Sequence, residues 1–483
     1  MTVGGSDPGL ARGAWIDRAT GALLCLVLIG TILMHWGAQW PWLAWATGTC
    51  FVGAIALMTP RVRWGRRAFV AVACVLTALA LLRADGGSRA VGTAIVLAAF
   101  VAAFFSALTS LGKAAGTSPA VYRAGSYLAL QPPGRRYLAL TIGGKLFSLV
   151  LNYGSLPLLG SLAMSSLSTE KDRRIRAIRT RRMLLAIERA MVSTLTWSPL
   201  TYSVTLITLL LPGLSWGTIV LPGLVSGVII SGTGWALDML FSPRRTSPRP
   251  PAATGQVSDT RGRPRDLLPL LLLLAILTGI VLGVTETLGI DVPGIVILVV
   301  PLVALGWIVI QWRGSPTAAH PLARARDYVF ETLPDMRSEL VLISMAAYIG
   351  SVGSFLAQPV AEAVAPTLSE TPPLVILTAV IWVIIALGQL GMNPMLSVTL
   401  LIPALPSLES LGIGSVSMFL AVSAGWALSG ISTPFSALAV IMSRFSGVSP
   451  RTVGLFWNGP FTLVCGILLT IWVLLFDRFL DGG

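Results

Sequence analysis

Ser198, Pro199, Thr201, Ser203 and Thr205 fall within eight residues of an otherwise apolar run, TWSPLTYSVTLITLLLPG (196–213). Asn393, Pro394, Ser397 and Thr399 fall within seven residues of another, GMNPMLSVTLLIPALP (391–406). Each run sets a small polar residue before a proline, then Ser-Val-Thr-Leu, then an apolar stretch that ends in proline. Proline brings no amide hydrogen to a helical turn and disfavours helix in the residue before it. A helix broken there bares N–H groups and carbonyls, which is costly in lipid unless the break lines a cavity or holds an ion. Bared N–H groups at the start of a half-helix attract an anion. Bared carbonyls with Ser, Thr or Asn oxygens can hold Na+. On that chemistry Ser198, Pro199, Thr201, Ser203, Asn393, Pro394 and Ser397 are candidate substrate contacts, and Thr205 and Thr399 candidate ion ligands. The plainer reading of one such patch is a kinked helix whose hydroxyls bond back to their own backbone. Two related patches favour a site.

Two further interruptions are expected, at Ser231-Gly232-Thr233-Gly234 and at Gly430-Ile431-Ser432-Thr433-Pro434, which adds Ser231, Thr233, Ser432 and Thr433 as ion ligands. Lys145, beside Gly143-Gly144, is the most buried-looking cation. It either neutralises an anionic substrate or snorkels to the surface. A proton-coupled carrier usually keeps an acid or histidine inside the membrane. Glu188, Asp238 and Glu286 all fall near the ends of predicted segments, and His35 lies beside a tryptophan-rich turn, so neutral oxygens holding Na+ are the favoured coupling device. Cys25, Cys50, Cys74 and Cys465 sit in apolar runs without a CxxC pair and read as small hydrophobes. With His35 and His320 the only histidines, no metal centre, no catalytic residue and no cofactor beyond Na+ is expected.

The elements that position these residues follow from composition. Of 483 residues 54% are hydrophobic and 11% charged, with a mean hydropathy of +0.81; a soluble chain carries about 25% charged residues. Apolar runs long enough for a hydrocarbon core of about 30 Å recur from end to end. The fold class is therefore all-α, a polytopic transmembrane bundle of about 11 to 13 segments. The net charge of +14 is concentrated in loops, notably KDRRIRAIRTRR (171–182), and sets topology rather than binding nucleic acid. Arg12 and Arg18 put the N-terminus in the cytoplasm. The first apolar run (19–37) is too long for a cleavable signal and reads as a first transmembrane helix. Basic loops flank 137–167 on the same side, so this segment either turns back as a re-entrant hairpin at Asn152-Tyr153-Gly154-Ser155 or one basic cluster breaks the positive-inside tendency.

The chain is expected to divide into N-terminal transmembrane helices (1–66), a first repeat (67–240), a basic Pro-rich cytoplasmic linker (241–265) and a second repeat (266–483). At an offset of 191, Pro212 matches Pro403, Gly223 matches Gly414, and Gly234-Trp235-Ala236-Leu237 matches Gly425-Trp426-Ala427-Leu428. Two halves joined by a linker, with interrupted helices at the midplane, are the usual build of secondary transporters.

A polar tip followed by an apolar helix ending in proline, once per half, resembles the ion transporter superfamily of divalent-anion/sodium symporters, arsenite permeases and TRAP transporter large subunits. That resemblance implies inverted repeats, each with a re-entrant hairpin and an interrupted helix, and a homodimer. The symporter tip reads Ser-Asn-Thr; here it reads Trp-Ser-Pro and Met-Asn-Pro, so only Ser198 and Asn393 carry over. The resemblance places the hairpin at the Ser-Pro tip, whereas the charges place it at 137–167. The resulting expectation is a multi-pass protein of a bacterial-type inner membrane, a secondary transporter of a small anion, carboxylates first, coupled to Na+. A cation/proton antiporter of similar layout is the alternative. A membrane lipid or glycan transferase is disfavoured, because the longest polar loop has almost no acids or histidines.

Overall fold

The computed structural model describes residues 8–38, 40–83, 85–132, 135–168, 170–211, 213–241, 263–314 and 319–481. Pro212 and all but the ends of the linker 241–265 lie outside them. In chain order the α-helices are α1 (Pro8–His35), α2 (Pro41–Met58), α3 (Trp64–Leu82), α4 (Gly87–Gly116), α5 (Pro119–Ala129), α6 (Arg136–Leu151), α7 (Ser155–Ser165), α8 (Arg173–Val192), α9 (Tyr202–Leu210) and α10 (Trp216–Leu240). Beyond the linker come α11 (Leu268–Leu288), α12 (Val292–Arg313), α13 (Pro321–Asp327), α14 (Leu333–Asp335), α15 (Arg337–Ser369), α16 (Pro373–Gln389), α17 (Pro394–Ala404), α18 (Ser415–Ser432), α19 (Ala437–Ser446) and α20 (Gly459–Phe476). No strand occurs among the described residues. Eleven helical segments there are long and apolar enough to cross a membrane, in keeping with a polytopic helical bundle.

The chain forms two compact units, each drawing segments from both sides of the linker. The first comprises Met1–Ala114, Gly279–Glu370 and Met395–Ser407. Within it α1 packs on α2 and α3 on α15. Hydroxyl pairs link distant helices within it: Thr77 Oγ1 lies 2.6 Å from Tyr348 Oη, and Thr109 Oγ1 2.8 Å from Tyr328 Oη. Asp291 caps α12, accepting from the Gly294 N–H at 3.3 Å, and meets His35 Nδ1 at 3.1 Å. Burial pushes the Asp291 carboxyl up, but the bond and charge of His35 and the Gly294 N–H outweigh it and hold the group below its usual range.

The second unit comprises Ala115–Thr278, Thr371–Pro394 and Leu408–Gly483. Here the segment 137–167 turns back on itself. The hydroxyls of Ser148 and Ser155 meet at 3.1 Å, and a Cβ built on Gly144 would lie 3.9 Å from Leu159 Cδ1. Both pairs sum to the same residue number, the register of an antiparallel hairpin. Along a straight helix residues 144 and 159 would be about 22 Å apart. Asn152 makes the reversal with φ of 49° and ψ of −128°, and is the one positive-φ residue other than glycine among the described residues. The segment is therefore a helical hairpin, the shape that the re-entrant reading of the charges requires.

Element order repeats along the chain. Helix, break, helix is followed by a second helix, break, helix and then a closing helix: α6–α7, α8–α9 and α10 in the first half, α16–α17, α18–α19 and α20 in the second. The register differs from the offset of 191, which aligns α10 with α18. The shared Gly-Trp-Ala-Leu serves different packing in the two helices: Trp235 is 45% exposed, Trp426 8%. A second correction concerns Ser231-Gly232-Thr233-Gly234. These residues do not interrupt α10, which runs unbroken from Trp216 to Leu240. Ser231 Oγ donates to the Gly227 carbonyl at 2.8 Å, one turn back, so the hydroxyl is absorbed by the helix it was expected to break.

Candidate functional site

The first break in the second unit runs from Ser193 to Thr201, between α8 and α9. Pro199 withholds a donor in the middle of it, and side chains take up the freed groups. Thr201 Oγ1 donates to the Ser198 carbonyl at 2.7 Å, Ser203 Oγ to the Leu195 carbonyl, and Thr205 Oγ1 to the Pro199 carbonyl at 3.3 Å. The Leu200 N–H donates to Ser198 Oγ at 3.2 Å. Ser198, Thr201, Ser203 and Thr205 are all buried. A hydroxyl that donates its one proton to a carbonyl still has oxygen lone pairs to offer. The patch is therefore rich in acceptors. α10 clamps it: Trp216 Nε1 donates to the Trp197 carbonyl at 3.0 Å, and Thr196 Oγ1 to the Gly223 carbonyl at 2.9 Å. A Cβ at Gly223 would sit 2.2 Å from the Thr196 carbonyl oxygen, so only glycine admits the broken backbone this closely.

The second break lies at 433–436, between α18 and α19. Thr433 Oγ1 donates to the Gly388 carbonyl at 2.7 Å, and Gln389 Nε2 to Ser432 Oγ at 2.8 Å, which ties the end of α18 to the end of α16. Ser436 restarts the chain as helix by accepting from the Ala439 N–H at 3.1 Å. α18 packs against both α8 and α9, and α19 against α8, so the two interrupted helices lie on one another within this unit.

Sequence reasoning placed Glu188 near a segment end and missed Arg189 and Asn458, yet these three lie at the centre of this packing. Glu188 is wholly buried, and Arg189 is 4% exposed. Asn458, at the head of α20, bridges them: its Nδ2 donates to Glu188 Oε2 at 2.9 Å, and its Oδ1 accepts from Arg189 Nε and Nη2 at 3.4 Å each. Arg189 Nη1 also reaches Tyr137 Oη at 3.3 Å and the Gly234 carbonyl at 3.4 Å, and its guanidinium lies 4.3 Å from the Phe461 ring centroid. Glu188 Oε1 makes no hydrogen bond. The sequence signal was present, since Glu188-Arg189 is a charged pair four residues before the break. The surrounding basic run made it look like the end of a segment instead of its core.

Two solved structures carry the same fold. The YdaH transporter of Alcanivorax borkumensis, reported to have an unusual topology, matches with a TM-score of 0.57 and 17% identity, over 87% of this chain and 100% of that one. MtrF of Neisseria gonorrhoeae, reported as illuminating a class of antimetabolite efflux pumps, matches with a TM-score of 0.52 and 13% identity, over 88% of this chain and 98% of that one. This is a fold that membrane transporters use. At such identities the likeness concerns fold alone. No family model matches the chain, and no curated protein does.

The sequence-derived residues distribute as follows. Ser198, Pro199, Thr201, Ser203 and Thr205 gather at the first break, and Ser432 and Thr433 at the second, all in one unit. Asn393 and Pro394 belong to that unit too, half-buried at the turn between α16 and α17. Ser397 and Thr399 are buried in the other unit, where Thr399 Oγ1 donates to the Met395 carbonyl at 2.9 Å. Lys145 is half-buried on the first arm of the hairpin. Ser231 and Thr233 lie on the unbroken α10. Arg189, not Lys145, is the most buried cation among the described residues.

Proposed function

We propose that this chain is a secondary transporter that moves a small anion, an organic carboxylate first, across the membrane. The carrying observation is the pair of interrupted helices, α8–α9 and α18–α19, packed on one another with buried neutral oxygens at both breaks. Irregular backbone at membrane depth persists where it lines a cavity or binds a solute. The fold shared with YdaH and MtrF supports the same reading, and the description of MtrF as an efflux pump favours an organic solute. Ser198, Ser203 and Asn393 are assigned to the solute. Lys145 supplies a positive charge on the hairpin, with no salt bridge to a described acid. Na+ is the coupling ion of this proposal. Its setting is a homodimer in a bacterial-type inner membrane with a cytoplasmic N-terminus, as the loop charges and the superfamily resemblance imply.

One observation favours a second reading, proton exchange. Glu188 is a wholly buried acid with an unpartnered oxygen, the kind of group that carries protons in membrane transporters.

Thermal melting of the purified protein against a panel of anions, in Na+ and again in K+, tests the first reading. A ligand that binds only the folded form raises the melting temperature with its occupancy. Asn393→Ala should abolish the shift and leave expression intact; an unaltered shift removes Asn393 from the site. In proteoliposomes, solute flux that follows a pH gradient and vanishes in Glu188→Gln would favour proton exchange over Na+.

A further inference from the structure

α6 and α8 run parallel within the second unit. Arg136, at the start of α6, reaches Met183 of α8, and a Cβ built on Gly144, two turns on, would lie 2.9 Å from the Ala190 Cβ. The basic ends of the two helices therefore converge at one corner. Arg136 and Arg179 are both half-buried there. Arg136 Nε donates to the Gln131 carbonyl at 2.8 Å, but Nη1 has only the Met183 Sδ, at 3.8 Å, and Nη2 makes no hydrogen bond to a described residue. A thioether is a weak acceptor. Arg179 lies one turn before Met183 on the same face of α8, and its like charge acts on Arg136. Arg135 is exposed beside them and pairs with no described acid.

The acids of this corner are already engaged. Glu170 takes one nitrogen of Arg179, Nη1, which leaves its other N–H groups to give. Asp238 accepts from Arg182 at 2.8 and 2.6 Å. Asp172 caps α8 through the N–H groups of Arg174 and Ile175. Two half-buried guanidinia held close call for an anion between them, and water brings no countercharge. Phosphate suits them, because its oxygens accept from planar guanidinium forks in pairs. The corner also lies where α6 enters the membrane. Arg136 opens the membrane-length segment Arg136–Ser165, and Leu138 and Ile142, next along α6, are 47% and 57% exposed. Those side chains offer a wall for acyl chains, which a soluble phosphate does not need. Basic pockets between transmembrane helices are established sites for anionic headgroups.

We propose that Arg135, Arg136 and Arg179 bind the phosphate of an anionic phospholipid at the corner where α6 meets α8, with its acyl chains along Leu138 and Ile142. The lipid ties the first arm of the hairpin to the interrupted helix α8–α9. The site stands on this geometry whether or not the chain moves a solute; only its leaflet, the cytoplasmic one, rests on the loop charges.

The test is thermal melting of the full-length protein, stripped of lipid in a neutral detergent, with phosphatidylglycerol as the probe. The expected result is a saturable rise of about 2 °C or more, absent with phosphatidylcholine and with inorganic phosphate at the same concentration. Arg136→Gln and Arg179→Gln should each raise the half-saturating lipid concentration about tenfold. Arg179 lies toward the exposed start of α8, so its variant carries the test even if Arg136→Gln does not fold. Arg63→Gln, at an exposed arginine before α3 in the other unit, should leave the rise unchanged. No rise with phosphatidylglycerol, or an equal one with phosphatidylcholine, overturns the site. So does half-saturation unmoved by either glutamine variant at α6 and α8, or moved as far by Arg63→Gln, which would mark general surface charge. An equal rise with inorganic phosphate overturns the lipid as occupant.

Discussion

Asn458 Nδ2 donates to Glu188 Oε2 at 2.9 Å across 270 positions of sequence, while Oδ1 of the same amide accepts from Arg189. One neutral side chain thus links an adjacent acid and base in a buried core, serving one of the two oxygens of the acid. Removing one partner of a buried charge leaves that charge uncompensated, at a cost of about 3 kcal/mol or more. Asn458→Ala should therefore lower the melting temperature by several degrees, and pairing it with Glu188→Gln should recover part of the loss. An alanine variant melting within a degree of the unaltered protein would remove Asn458 from this role.

Arg189 answers to four acceptor contacts and an aromatic face at once, which only a planar fork can do. Its Nε and Nη2 go to Asn458, its Nη1 to Tyr137 and Gly234, and its guanidinium carbon lies over the Phe461 ring. A lysine has a point charge and no fork. Arg189→Lys should destabilise the fold by about 2 kcal/mol despite keeping the charge, measured by thermal or denaturant unfolding in detergent. Equal stability of the two proteins would mean that charge, not geometry, is what the site requires.

Much of this layout could be read from the sequence, for physical reasons that differ by residue. Pro199 and Pro434 fall at the breaks of α8–α9 and α18–α19, but Pro222 lies inside the unbroken α10, so proline together with neighbouring small polar residues, and not proline alone, marked the breaks. Charge parity around 137–167 left a hairpin as one of two readings, because Lys and Arg loops report a tendency in sidedness and not the fold of the segment between them. Glycine and serine were ambiguous. Ser231-Gly232-Thr233-Gly234 has the composition of a break, yet in α10 its hydroxyl bonds back to the helix, and Gly234 leaves room for Arg189, whose Cδ would lie 3.0 Å from a Cβ there. The partners of Glu188 were illegible, because Asn458 is distant in sequence and nothing in an isolated Asn says that it will meet a buried acid.

Gly223 sets how near α10 can come to the first break. A Cβ there would fall 2.2 Å from the Thr196 carbonyl oxygen and 3.2 Å from Trp197 Cα, both backbone atoms without freedom to move aside. Overpacking of this kind costs about 1–3 kcal/mol. Gly223→Ala should lower stability by that much and reduce solute flux more than tenfold. Gly232 on the same helix has no neighbour within 4 Å of its would-be Cβ. Gly232→Ala should be neutral or stabilise by up to about 1 kcal/mol through helix propensity. If the two substitutions behave alike, the close approach at Gly223 has no consequence.

The hairpin makes the sharpest topological prediction. If α6 and α7 return the chain to the side it entered from, residues 136 and 166 face the same compartment, and the turn at 152–154 lies within the membrane-embedded body. Single cysteines at Arg136, Tyr153 and Ser166, in a background freed of Cys25, Cys50, Cys74 and Cys465, report this through impermeant maleimides. Arg136→Cys and Ser166→Cys should label together, from one face only. Tyr153→Cys is the third probe: Tyr153 is 37% exposed, so a reagent should reach it, but more slowly than the two end positions if its access is through a cavity. The basic α8 begins at Arg173, seven residues after Ser166, and its first turn is exposed, so Arg174→Cys should label from that same face. Labelling of 136 and 166 from opposite faces would make 137–167 a single crossing and remove the hairpin from the fold.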